Sequence, residues 1–189
     1  MTSIPLDPAD QPKPQATGHV TSELPLDPFA GEGAHMAMFR AHDWSATPLG
    51  AESTWSPSLR RSVEHVLWSD FPNLLLWGPD LLQLYNESYR ELRGDLGLSE
   101  LGRPVRESSP KYWDVNAPFY DRAMAGETLS RENVLMSVTR AGSAEDMRVT
   151  LSYKPIFVDH AVGGVMVTVF HTQQDEDEES HETSDRMVH

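Results

Sequence analysis

The chain has 189 residues, enough for about one domain, and carries 29 acidic against 15 basic side chains for a formal charge of −14. That balance argues against a phosphate backbone or anionic lipid as partner, because no basic surplus is left to meet one. Cysteine is absent, which removes disulfides, thiolate nucleophiles, Cys-bound zinc, iron–sulfur clusters and cysteine-linked flavins or other chromophores.

The acidity is concentrated at the ends. Residues 1–28 carry a local −3 and six of the fourteen prolines, and residues 175–189 carry seven acidic groups against Arg186 alone. Neither end has the apolar periodicity to offset the entropy of ordering, so both are expected to be flexible flanks of a domain over 29–174. The head contains a near-repeat, Ile4-Pro5-Leu6-Asp7-Pro8 and Leu24-Pro25-Leu26-Asp27-Pro28, which proline-rich composition accounts for without a docking role. The acidic tail reads as a solvating segment. The longest apolar run, Val162 to Phe170, is too short to cross a bilayer, and the N-terminus lacks a basic flank followed by an apolar stretch; a cytoplasmic protein is expected.

Within the middle, residues 33–44 place Ala34, Ala37, Met38 and Ala41 on one helical face. Met36 and Phe39 then project off that stripe and are expected to form an exposed contact surface for a second copy or another protein. Ser56-Pro57 supplies an N-cap and first-turn proline, and Leu59, Val63, Val66 and Leu67 form the buried stripe of a helix ending near Asp70. Leu74–Trp77 and Leu82–Tyr85 read as a hairpin around Gly78-Pro79-Asp80. Asn86 caps a short helix through Arg93, closed by Gly94. Residues 111–125 form a longer helical segment, and three strands follow over about 129–139, 146–157 and 162–171. In the middle strand Met147, Val149, Leu151, Tyr153 and Phe157 alternate with polar residues, the mark of a sheet with one wet face.

An α+β order of five antiparallel strands, with helices between the second and third and a helical lead-in, resembles a PAS domain. Particular stretches sharpen the likeness to the PAS group at the N-terminus of bacterial sensor histidine kinases: His42-Asp43-Trp44-Ser45-Ala46-Thr47-Pro48-Leu49-Gly50, Trp55-Ser56-Pro57-Ser58-Leu59-Arg60, Leu76-Trp77-Gly78-Pro79-Asp80-Leu81, Leu84-Tyr85-Asn86-Glu87-Ser88-Tyr89, Leu101-Gly102-Arg103-Pro104 and Ser152-Tyr153-Lys154-Pro155-Ile156. The resemblance spans about residues 31–172 and implies a sensory or interaction module with a pocket between sheet and helices. In such kinases the last strand leads into a signalling helix and a kinase core; here an acidic run follows Phe170, so a signal is expected to leave through another polypeptide. Haem-binding relatives usually offer a histidine on the helix before the third strand, and residues 111–125 contain none, so haem is not expected.

The 111–125 segment carries the sharpest anomaly. Tyr112, Trp113, Val115, Phe119, Tyr120, Ala123 and Met124 form one apolar sector with Asn116 in its middle. An amide there must find hydrogen bonds or cost stability. Either Asn116 faces a pocket and holds a small polar ligand or a water, or it ends one short helix before Ala117-Pro118. With the PAS resemblance, Tyr85, Tyr89, Trp113, Phe119, Tyr120 and Tyr153 join Asn116 as pocket-lining candidates; the same aromatics would equally fill an ordinary core. Enzymatic readings find little support. His35 and His42 share a helix face without an acidic ligand beside them, no nucleophile elbow or phosphate-cradling glycine loop is present, and Gly163-Gly164 reads as a bulge or a close approach of backbones. Three readings stay open: a non-catalytic PAS sensor binding a small molecule or a protein, a ligand-free PAS dimerisation module using Met36 and Phe39, and a small enzyme on another α+β fold.

Overall fold

The computed structural model describes residues 33–94, 100–140 and 143–171. The expectations for 1–28 and 175–189 lie outside the described residues. A single antiparallel sheet runs in the order β2-β1-β5-β4-β3, from β1 (Asn73–Trp77), β2 (Leu82–Tyr85), β3 (Leu129–Arg140), β4 (Ser143–Val158) and β5 (Ala161–His171). Between β2 and β3 the chain builds α3 (Glu87–Arg93), α4 (Val105–Ser108) and α5 (Pro110–Met124); before β1 it builds α1 (Ala34–Ala41) and α2 (Pro57–Leu67).

The register decides which side chains share a face. Leu74 and Leu76 of β1 stand opposite Tyr85 and Gln83, Leu74 faces Val167, and Val167 and Val169 in turn face Tyr153 and Leu151. These residues form the inner face, against which α5 packs through β4 and β5. Leu75 and Met166 belong to the opposite face by the two-residue period, yet both are buried, because α2 covers β1 and β2. Both faces of β1 are therefore dry, which is why Leu74-Leu75-Leu76 is an unbroken apolar run rather than an alternating one.

The lead-in completes that cover and corrects one expectation. α1 turns inward with His35, Met36 and Phe39, not with its alanines: Ala34, Ala37 and Ala41 are exposed. Phe39 packs on Trp44 at 4.6 Å and Trp44 on Trp55 at 5.0 Å, and the two indole N–H groups donate to Phe39 O and Gly50 O. Large side chains remove more apolar area from water than alanines can, so the aromatic face wins the interior over the small-residue stripe. Met36 and Phe39 are core residues of this chain and offer no exposed contact face.

Two further differences come from β4 and α5. A register shift between Ile156 and Phe157 turns Phe157 out to solvent, although the alternation placed it inward. The shift lies across from Gly163-Gly164, and a Cβ on Gly164 would stand 2.6 Å from the Leu76 carbonyl oxygen, so the close-approach reading of that pair holds. α5 runs unbroken through Pro118, whose missing N–H falls where Asp114 and Pro118 are both exposed. Asn116 thus ends no helix. Val115, expected in the buried sector, is exposed. Asn86 caps α3 as expected and does more: its Oδ1 accepts from Tyr89 N and Asn73 N, and its Nδ2 donates to Ser69 O and Phe71 O, locking the entry to β1.

Candidate ligand cavity

Between α5 and the inner face of the sheet lies a cavity of about 190 Å³. Its apolar wall includes Leu74, Val105, Trp113, Val134, Met136, Leu151, Val167 and Val169, contributed by all strands but β2 and by α4 and α5. The polar lining is Gln83, Arg93, Ser109, Tyr112, Asn116, Tyr120, Arg131 and Tyr153, with Tyr89 beside them. Among the described residues no acidic side chain lines it. At the rim of the space β3 carries a register shift between Arg131 and Val134, with Asn133 at φ 55°.

Asn116 sits at the centre of a hydrogen-bond cluster. Its Nδ2 donates to Tyr112 O at 3.0 Å, while its Oδ1 accepts from Arg131 Nη1 at 2.9 Å and from Tyr153 Oη at 3.1 Å. A carbonyl on one side and two donors on the other fix the orientation of the amide. The Arg131 guanidinium lies over the Phe119 ring at 4.3 Å, and Phe119 stacks on Tyr153 at 5.5 Å, so three side chains hold the cation in place. Gln83 is buried, and its Nε2 donates to Glu100 O and Ser108 Oγ. Arg93 is buried at the end of α3 with its guanidinium over the Tyr112 ring at 4.7 Å.

Burial pushes the Tyr120 hydroxyl well above the usual tyrosine range, with neighbouring Tyr89 and Tyr153 adding to the rise and Arg93 and Arg131 opposing it. Tyr153 is raised by burial, against the hydrogen-bonding and charge of Arg131. Both are neutral hydroxyls at physiological pH, suited to hydrogen bonding rather than to proton abstraction.

Of the seven expected lining residues, Tyr89, Trp113, Asn116, Tyr120 and Tyr153 border the cavity. Tyr85 does not; it is buried beside it, its ring 6.0 Å from Tyr89 and its carbonyl accepting from His35 Nε2 at 2.8 Å. Phe119 supports Arg131 and Tyr153 from behind. Arg131, Arg93, Gln83, Ser109 and Tyr112 were not anticipated. Arg131 was in principle readable, since its partner across the ladder is the inward-facing Leu151, but that pairing requires the register. His35 and His42 bring no acidic partner into a metal cluster among the described residues.

Strand order and inserted helices make this a PAS-like fold of the α+β class. Solved structures similar to the chain include the Rhodobacter sphaeroides LOV protein, 17% identical over 65% of this chain and 70% of that one with a TM-score of 0.46. A sensory box sensor histidine kinase from Vibrio cholerae is 17% identical over 61% and 90%, with a TM-score of 0.45, and the PAS domain of Bordetella pertussis BvgS is 14% identical over 62% and 87%, with a TM-score of 0.42. The sequence matches no family model and no curated protein. No described helix is long and apolar enough to cross a membrane.

Proposed function

We propose that the chain is a non-catalytic sensory module that holds a small molecule in the α5–sheet cavity and passes its occupancy to a protein partner in the cytoplasm. One observation carries the reading: an apolar space of about 190 Å³ that contains a connected polar cluster, Asn116–Arg131–Tyr153, rather than hydrocarbon alone. A filled core would have closed the space, since interiors pack to few voids larger than a water. The volume exceeds that of an engineered cavity of about 150 Å³ that binds benzene and falls short of the roughly 300–1,000 Å³ of drug-sized sites, which favours a compact occupant. A non-catalytic role is supported by the chemistry of the lining: Tyr120 and Tyr153 hold their protons, and among the described residues no carboxylate or histidine lines the space to act as a base.

β3 ends the strand order and contributes Arg131, Val134 and Met136 to the wall, so a filled cavity acts directly on a terminal strand of the sheet, from which a change can pass to a partner. Native mass spectrometry of the purified full chain, alongside thermal denaturation with a panel of one-ring compounds, tests the reading. Val134→Phe, which fills the space, is expected to remove any retained mass and any ligand-induced rise in Tm. A wild-type chain that retains nothing and is stabilised by no compound, or a Val134→Phe chain that binds as well as wild type, would refute the cavity as a site.

A further inference from the structure

We infer that the cavity takes a compact organic carboxylate, its anionic head on the Arg131 guanidinium and a body of about one aromatic ring against the apolar wall. The inference rests on the cavity reading above and adds the chemistry of the occupant. Arg131 presents five N–H donors, and the Asn116 amide oxygen accepts from one nitrogen, Nη1. Among the described residues no carboxylate stands within ion-pair distance of it. A half-buried guanidinium held by a neutral amide and an aromatic face has its charge oriented but not neutralised, and an incoming carboxylate is the group whose geometry matches the remaining fork.

The lining charge points the same way. Arg131 borders the cavity, and among the described residues no acid lines it. This occurs in a chain of formal charge −14, so the sign of the site is opposite to that of the molecule around it. The rest of the wall is predominantly apolar, Trp113 and Leu151 included, and the volume is small, which favours a compact apolar body behind the anionic head.

Titration of the full chain with benzoate and with its neutral isostere benzamide, read by calorimetry at neutral pH, tests the inference. Wild type is expected to prefer benzoate by about tenfold or more, and Arg131→Gln to bring the two to within about threefold by weakening benzoate alone. Arg131→Lys, which keeps a cation without the planar fork, is expected to retain a reduced preference and serves if the glutamine variant does not fold. Benzamide binding as tightly as benzoate would overturn the carboxylate while leaving the cavity as a site for a neutral ligand. A benzoate preference undiminished in Arg131→Gln would also overturn it, as would binding of neither compound, and the Val134→Phe comparison then judges the cavity separately.

Discussion

Replacing Asn116 by leucine places an apolar group where three polar partners converge. Tyr153 is 1% exposed, so once the amide oxygen is gone its hydroxyl loses the acceptor that satisfies it within the wall. An orphaned buried hydroxyl costs about 1–3 kcal/mol. Arg131 is half-buried and can turn its free donors outward, so its share of the loss is small. Leucine recovers roughly 0.5 kcal/mol through better helix propensity and some further apolar burial. The net expectation is a loss of about 1–2 kcal/mol, or roughly 2–8 °C in Tm for a chain of this size. Tyr153→Phe removes the group that would be orphaned. In that background Asn116→Leu should cost less, with a coupling of at least about 0.5 kcal/mol in a urea-denaturation cycle. Equal costs in both backgrounds, or a leucine variant more stable than wild type, would refute the assignment of the Asn116–Tyr153 bond as a structural element of the cavity wall.

Phe39→Ala should lose about 3–5 kcal/mol in urea denaturation, because the ring is 1% exposed against Trp44; a loss below 1 kcal/mol, roughly what a surface site shows, would contradict its place in the core. Gly164→Ala should destabilise by about 1–3 kcal/mol or more, since its methyl would meet the Leu76 carbonyl at 2.6 Å, and a neutral result in thermal denaturation would refute the close approach. Burial, reinforced by Arg90, holds His35 below its ordinary value of 6.5 against the raising effects of its bond to Tyr85 O and of Glu87, so the folded state keeps it neutral. The unfolded chain then binds more protons below that value. The stability His35 contributes is complete above pH 6.5 and is lost as pH falls toward its folded value; His35→Gln should flatten this part of a stability profile measured from pH 7.5 to about 5.5, and an unchanged slope would contradict it.

Strand periodicity and turn chemistry made most of the fold legible. The hairpin around Gly78, the Asn86 cap and the alternation of β4 need only local reading. What escaped depended on contacts distant in sequence. The four small or slender residues of α1 form a tidy stripe, but the aromatic cluster with Trp44 and Trp55 decides which side is buried. Phe157 obeys the two-residue period until the bulge opposite Gly163-Gly164 resets it. At the cavity, an amide amid aromatics marked Asn116 from sequence alone, because a lone polar group in an apolar sector demands a partner. Its partners were invisible: Arg131 reaches Asn116 only once β3 is paired to β4, and a cation on a strand otherwise reads as a solvated face.

A crystal structure of the full chain grown with bromobenzene tests the central claim without reliance on the charge of the ligand. The cavity reading predicts an anomalous bromine peak between α5 and the inner face of the sheet, in contact with Trp113 and Leu151. Bromine found only at exposed aromatics such as Phe71 and Phe170, with the cavity closed by movement of Trp113 or Met136, would contradict it.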